Sequence, residues 1–344
     1  MDLHLEKAKD KRQKAKVKIT GSKSETNRLL LLQALYPDLI LENTSNSDDS
    51  EVMQKALNSQ FTIHNSQLID VHHAGTAMRF LTAFFAIQEG KEVVLTGSSR
   101  MKERPIKILV EALNQLGADI SYEENEGFPP IRIIGKKLIQ NKVSLPANVS
   151  SQYISALLLI APKLENGLEL TLEGEITSVP YIKMTLALLN EIGVKTSFVG
   201  NIIIVSQKSK VKSQKLIVES DWSSASYWYS IVALSEIGFQ VTLSSYKENS
   251  LQGDSALVEI YKDFGVETTF NTDNSITISK ERIHNSQLTS HNSQLNNSPD
   301  IAQTIAVTCF GLGMGCDLTG LHTLKIKETD RLEALKTELT KLGA

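Results

Sequence analysis

The sequence predicts an α/β protein of two domains, assembled from copies of one supersecondary unit. Three observations carry that prediction: the length of 344 residues is roughly twice a typical domain, the composition is globular, and one helix ending recurs four times. Apolar residues make up 41% and charged residues 22%, which excludes disordered and fibrous classes. The recurring endings read NQLGADISY, NEIGVKTSF, KDFGVETTF and TKLGA. Their glycines, Gly117, Gly193, Gly265 and Gly343, lie 76, 72 and 78 residues apart, and each follows an amphipathic run. Each reads as a left-handed cap just past a helix C-terminus. A short alternating strand follows the first three at once, so a unit of about 75 residues mixing helices and strands repeats along the chain. EVMQKALNSQFTI reads as a fainter copy that lacks the glycine.

Nothing follows the fourth ending. RLEALKTELTKLG places Leu332, Leu335, Leu339 and Leu342 on one face that calls for a core. The expectation is a chain that stops inside a unit, short of a strand and of a further repeat of about 75 residues.

The 36 basic and 39 acidic residues give a net charge of −3, so no global positive field recruits nucleic acid or an anionic membrane, and any anion site is local. No apolar stretch reaches the roughly 18 residues of a membrane span. The lysine-rich opening lacks the apolar core of a signal peptide and reads as a solvated arm leading into a strand. Cys309 and Cys316 have no partner pair or nearby histidine, so neither a zinc site nor a disulfide framework is indicated, and a cytoplasmic location is expected. The pentapeptide HNSQL occurs at 64–68, 284–288 and 291–295 and reads as polar surface loop.

Seven motifs offer chemistry. In GSKSETNRLLLLQAL, Ser22 reads as a helix cap with Glu25 as its capping-box partner, and Lys23, Ser24 and Arg28 gather at the helix start. Free N–H groups, a helix dipole and two cations suit phosphate; an ordinary capped helix reads equally well. In HHAGTAMRFLTAFFAI, Gly75 opens a helix and allows close approach of a ligand, with Thr76 as cap, while His72 and His73 diverge on a strand and make no metal face. RMKERPIKILVEAL puts Pro105 at the first helical position behind Arg100, Lys102 and Arg104. VSSQYISALLLIAP offers Ser150, Ser151 and Gln152 as neutral donors at a helix start, and SVPYIKMTLALL offers Ser178 and Tyr181. NSPDIAQTIAVTCF places Asp300 as an N-cap. LKIKETDRLEAL sets Glu328 and Arg331 three apart on one helix face beside Lys327. A carboxylate between two cations stays ionised and is placed to shuttle a proton; a surface ion-pair face looks the same.

GSKSETNR, AGTAMR, RMKERPI, SSQ, SVPY, SDWSSASY, PD and KETDR, in this order, closely resemble the motif series of the 5-enolpyruvylshikimate-3-phosphate (EPSP) synthase family, from about Lys18 to Ala344. The resemblance implies a two-domain enolpyruvyl transferase fold of repeated βαβαββ units, an inside-out α/β barrel, here with its last unit missing. It implies an upper domain at 21–221 and a discontinuous lower domain at 1–20 plus 222–344, joined by hinge crossings near Thr20 and Asp221, which close on the substrates. The implied reaction moves the enolpyruvyl group of phosphoenolpyruvate to the 5-hydroxyl of shikimate 3-phosphate and releases phosphate. It uses no metal or organic cofactor, and the enzyme is expected to be a cytoplasmic monomer with no nucleic-acid or membrane partner.

Carried over residue by residue, Lys23, Ser24, Arg28, Ser150, Ser151, Gln152, Ser178, Tyr181, Asp300 and Lys327 match shikimate 3-phosphate contacts. Lys23, Gly75, Thr76, Arg104, Gln152, Glu328 and Arg331 match the phosphoenolpyruvate side, Gly75 lying where glyphosate competes. Lys23, Asp300 and Glu328 match the proton-transfer groups, Asp300 taking the 5-hydroxyl proton. Two phosphates and two carboxylates bring roughly five to six negative charges, which Lys23, Arg28, Arg104, Lys327 and Arg331 offset.

The chain departs from the family at His73 and Thr323, where Asn is usual, and at Phe80, where Pro is usual. The family also continues past LGA with an Asp-His-Arg motif and a late Lys that bind phosphoenolpyruvate. Two alternatives follow: a truncated remnant that binds only shikimate 3-phosphate, and a same-fold transferase acting on UDP-N-acetylglucosamine. The second carries a reactive Cys in the loop that here reads GSSRMKER without one.

Overall fold

The computed structural model describes residues 14–59, 66–148, 150–174, 176, 179–282, 289–326 and 329–344. They divide into two compact units: 14–19, 220–250 and 254–344 form one, and 20–219 with 251–253 form the other. The chain opens with β1 (Lys14–Val17), α1 (Lys23–Leu35), β2 (Leu39–Glu42) and α2 (Asp48–Leu57). The next repeat is β3 (Gln67–Asp70), α3 (Gly75–Ala86), β4 (Glu92–Thr96), the short α4 (Ser99–Lys102), α5 (Lys107–Gln115), β5 (Asp119–Tyr122) and β6 (Ile131–Ile134). A second follows as β7 (Lys142–Pro146), α6 (Ser151–Ile160), β8 (Leu168–Glu173), α7 (Val179–Glu191), β9 (Thr196–Val199) and β10 (Ile202–Val205). Then come β11 (Gln214–Ile217), α8 (Trp222–Ala233), β12 (Gln240–Leu243), α9 (Leu257–Ile260), β13 (Val266–Phe270) and β14 (Ile276–Lys280). The chain closes with β15 (Ser290–Gln294), α10 (Ala302–Gly311), β16 (Gly315–Thr319) and α11 (Arg331–Lys341).

The repeat read from the glycines is a βαβαββ unit. Three four-stranded sheets share one order, β3-β4-β6-β5, β7-β8-β10-β9 and β1-β12-β14-β13. In each, the first strand runs parallel to the second and the remaining pairings are antiparallel. The third sheet takes its first strand from elsewhere in the chain: β11 precedes α8 and β12 in sequence, yet β1 pairs with β12 while β11 pairs parallel with β2. Gly117, Gly193, Gly265 and Gly343 all have positive φ, between 71° and 101°, so each ends its helix in the left-handed region that a side chain disfavours.

In the 20–219 unit, α3 buries every residue but Thr76 and α6 every residue but Gln152. Helices apolar all round belong in a core, not on a surface. The polar residue left out in each case sits in the first turn. In the other unit, Trp222, Tyr246, Tyr229, Tyr261 and Phe264 form a chain of ring contacts with centroids 4.7–6.5 Å apart. Among the described residues no helix is long and apolar enough to cross a membrane.

Several local expectations are corrected. Ser22 makes no side-chain cap; its N–H donates to the Glu219 carbonyl, and the Glu25 carboxylate, 5% exposed, accepts from the Glu219 N–H. A tertiary strand end thus takes the place of the capping box. His72 and His73 lie in a turn and both are exposed. Pro105 precedes the α5 N-cap, Ile106, and is outside the helix. The third HNSQL copy is not loop: it forms β15, where His291 is 3% exposed, Nδ1 3.1 Å from Asp263 Oδ2 and Nε2 2.7 Å from Ser293 Oγ. Alternation along a strand turns His291 inward, and those two partners satisfy a ring that burial would otherwise strand. Ser66, Gln67 and Leu68 of the first copy lead into or form β3; His64, Asn65 and 284–288 lie outside the described residues. On α11 no residue is buried; Leu332 packs partly against the core, while Leu342 is exposed.

Candidate active site

Four helices of the 20–219 unit carry one arrangement: a small or polar residue in the first turn and a supporting side chain four positions on. The pairs are Ser24 and Arg28, Gly75 and Arg79, Ser151 and Ser155, and Tyr181 and Thr185. Residues four apart share a helix face, so each pair lies on one side of its helix.

Arg28 joins these helices. It is 2% exposed, and Nε donates to Thr185 Oγ1 at 2.8 Å, Nη2 to Ser155 Oγ at 3.0 Å and to the Tyr181 carbonyl at 3.5 Å, and Nη1 to the Ser24 carbonyl at 2.7 Å. The Phe80 and Tyr181 rings lie 5.4 and 5.8 Å from Cζ, distances at which a guanidinium gains from the ring face. Burial pushes the guanidinium down to about 10, with Tyr181 and Glu25 opposing the shift, so it remains charged at neutral pH. Phe80, a departure at the sequence level, therefore contributes directly to the Arg28 surroundings.

Lys23 opens α1 with its side chain 45% exposed and Nζ 3.7 Å from Asp49 Oδ1. A surface pair of that length is worth about 0–1 kcal/mol, so the amine is readily diverted to an anion. Gly75 opens α3. Thr76 does not cap; its Oγ1 accepts from Gln152 Nε2 at 3.1 Å, which ties the starts of α3 and α6 together. Ser150 caps α6 through the Gln152 N–H at 3.3 Å, and Ser151 beside it is buried. The Arg104 guanidinium lies against Gly75 and makes no hydrogen bond or ion pair among the described residues.

The 220–344 unit holds Asp300 and Arg331. Asp300 sits in a single 3₁₀ turn, Pro299–Ile301, ahead of α10 and caps nothing; its Oδ1 accepts from Arg331 Nη1 at 2.9 Å. The capping residue nearby is Asp330, whose Oδ1 accepts from the Leu332 and Glu333 N–H groups, so α11 begins at Arg331. The expected sharing of one helix face by Glu328 and Arg331 falls on Glu328, outside the described residues. Asp300 and Arg331 line an open cavity of about 590 Å³ with Ser230, Gln303 and Thr304. Gln303 Oε1 there is buried without a partner. Ser178, Lys327 and Glu328 lie outside the described residues.

The residues that sequence reasoning missed are the supports Arg79, Ser155 and Thr185, and Gln303 in the cavity lining. A signal was present for the first three, since each stands four positions after a motif residue on a strongly apolar helix, where a polar side chain needs a partner.

A family model for EPSP synthase (3-phosphoshikimate 1-carboxyvinyltransferase) matches residues 38–344. The chain belongs to the EPSP synthase family. It is 46% identical over 331 residues to a 3-phosphoshikimate 1-carboxyvinyltransferase of Bacteroides fragilis, covering 96% of this chain and 78% of that one. A Haemophilus influenzae protein of the same name is 37% identical over 355 residues, covering 95% and 80%. Among solved structures, an EPSP synthase from Acinetobacter baumannii superposes with a TM-score of 0.73 at 19% identity, over 94% of this chain and 77% of that one. At that identity the likeness speaks for the fold. The family member described here therefore has the enolpyruvyl transferase architecture expected from its motifs.

Proposed function

We propose that this chain joins the enolpyruvyl group of phosphoenolpyruvate to the 5-hydroxyl of shikimate 3-phosphate and releases phosphate. The observation that carries the reading at the site is the Arg104 guanidinium, unpaired among the described residues and laid over Gly75 at the start of α3. A helix N-terminus adds its dipole to that cation, and an anion completes the arrangement. The anion is the phosphoenolpyruvate phosphate or carboxylate, with Lys23, Thr76, Gln152 and Arg331 as its other contacts.

Shikimate 3-phosphate is met by Ser24, Arg28, Ser150, Ser151, Gln152, Ser178, Tyr181, Asp300 and Lys327. Arg28 spends four N–H bonds on the protein, so it contributes charge and a fixed frame for α1, α6 and α7 more than a free fork of donors. Asp300 accepts the 5-hydroxyl proton as that oxygen bonds to C2 of the enolpyruvyl group, and Arg331 at 2.9 Å orients the carboxylate. Lys23 and Glu328 move the protons at the methylene carbon and at the bridging oxygen, and the C2–O bond to phosphate breaks as the enol double bond is restored. Fixing two substrates in register supplies a large part of the rate advantage.

The test is phosphate release by the purified chain. Release that requires both substrates, and that Lys23→Ala abolishes while melting temperature stays unchanged, supports the reading. Folded protein that releases no phosphate with both substrates present overturns it.

A further inference from the structure

Arg79 stands one turn into α3, 4% exposed, in a place where its charge has no carboxylate partner among the described residues. Taking a guanidinium out of water costs several kcal/mol unless its surroundings repay it, and an apolar side chain of similar volume would pack there without that cost. The bonds that Arg79 makes all go to the two segments flanking one neighbour. Nη1 donates to the Gly75 carbonyl at 3.1 Å and lies 3.7 Å from Met101 Sδ; Nη2 donates to the Pro105 carbonyl at 3.0 Å. Tyr153, on α6, has its ring 5.9 Å from Arg79 Cζ and donates its hydroxyl to the same Pro105 carbonyl at 2.6 Å.

Met101 and Pro105 bracket Arg104, and Gly75 is the residue that the Arg104 guanidinium covers. We propose that Arg79 is a positioning residue that clamps the 101–105 segment onto the first turn of α3 and so holds Arg104 over Gly75 for the anion. Burial chiefly raises the cost of keeping Arg79 charged and lowers its affinity for its proton; Tyr153 opposes that shift, and the positive charge of Arg104 beside it adds to it. An anion bound at Arg104 lowers that cost, so the clamp and the ligand favour one another. Arg79 Nε is the one nitrogen of the group buried without a hydrogen-bond partner among the described residues.

The clamp rests on the functional reading only for the identity of the anion, and the experiment separates the two. Arg79→Met and Arg79→Lys are compared with the parent by steady-state kinetics, calorimetric titration with phosphoenolpyruvate in the presence of shikimate 3-phosphate, and hydrogen exchange of residues 101–106. A displacement of about 1 Å is worth as much as a hundredfold. The expected result is a KM for phosphoenolpyruvate raised tenfold or more in Arg79→Met, a smaller rise in Arg79→Lys, a KM for shikimate 3-phosphate within twofold of the parent, and faster exchange confined to 101–106. Equal changes in both KM values, or unchanged exchange in that segment, overturn the proposal. If Arg79→Met fails to fold, Tyr153→Phe removes one of the two bonds to Pro105 and is held to the same outcomes. A parent chain without turnover would defeat the functional reading alone, because hydrogen exchange still decides whether Arg79 holds the segment.

Discussion

A Cβ built on Gly75 falls 2.6 Å from Arg104 Nη1 and 2.7 Å from Nη2. The atoms in the way are the far end of a flexible side chain, so the clash is relieved by moving the guanidinium and not the backbone. Gly75→Ala is expected to raise the KM for phosphoenolpyruvate at least tenfold with a melting temperature within about 1 °C of the parent, which is less than about 1 kcal/mol for a chain of this size. A variant that melts far lower, with unchanged KM, would place the role of Gly75 in folding.

Arg28→Met separates stability from binding. The Ser24 carbonyl keeps its helical bond, the Tyr181 carbonyl keeps Thr185 Oγ1 at 2.9 Å, and Thr185 and Ser155 keep each other at 2.9 Å. Few groups are left unpaired, and replacing a buried cation by an apolar side chain of similar volume is often neutral or stabilising. Chemical denaturation should show a change within about 1.5 kcal/mol, while titration with shikimate 3-phosphate shows binding weakened at least a hundredfold. A loss of stability without a loss of binding would contradict the assigned role.

Gly21 tests the backbone approach just ahead of α1. A Cβ there meets the Asn43 backbone carbonyl oxygen and comes within 2.7 Å of Val218 Cγ1. Neither neighbour is a flexible chain end, so Gly21→Ala should lower unfolding free energy by about 1–3 kcal/mol, read as a shift in denaturant midpoint. An unchanged midpoint would show that the segment shifts without cost.

The two thiols differ in reach and in ionisation. Cys309 is buried, and burial pushes its thiol up to about 12, whereas Cys316 is exposed. Since the thiolate is the nucleophile, a maleimide at pH 8 should label Cys316 in the folded protein and reach Cys309 only on unfolding, as read by mass spectrometry of peptides. The Cys309 thiol is more acidic unfolded than folded, so its contribution to stability is complete below about pH 9 and is lost as pH rises toward 12. Cys309→Ala should flatten that alkaline decline.

The amino-acid sequence by itself determined the repeat, because a helix that ends in a left-handed residue favours glycine, and four such glycines at near-equal spacing mark the same helix end in four successive units. It also located the helix starts that hold the candidate site residues, since Lys23, Gly75, Ser150 and Asp300 stand at or next to the beginnings of helical segments. Local caps were read less well. Ser22, Thr76 and Asp300 have the right chemistry for capping, but tertiary partners between 31 and 197 positions away took up those side chains or the neighbouring backbone.

Only the tertiary structure decided that β1 pairs with β12 and β11 with β2, because strand pairing is set by long-range burial that no local pattern encodes. It also decided what lies behind the motif residues. Arg28 and Arg79 look alike in sequence, each four positions after a site residue, yet one is tied to hydroxyls on α6 and α7 and the other to two backbone carbonyls beside Arg104. Local sequence sets where a guanidinium starts; the packing of the surrounding helices sets which acceptors are near enough to hold it in a place where water cannot.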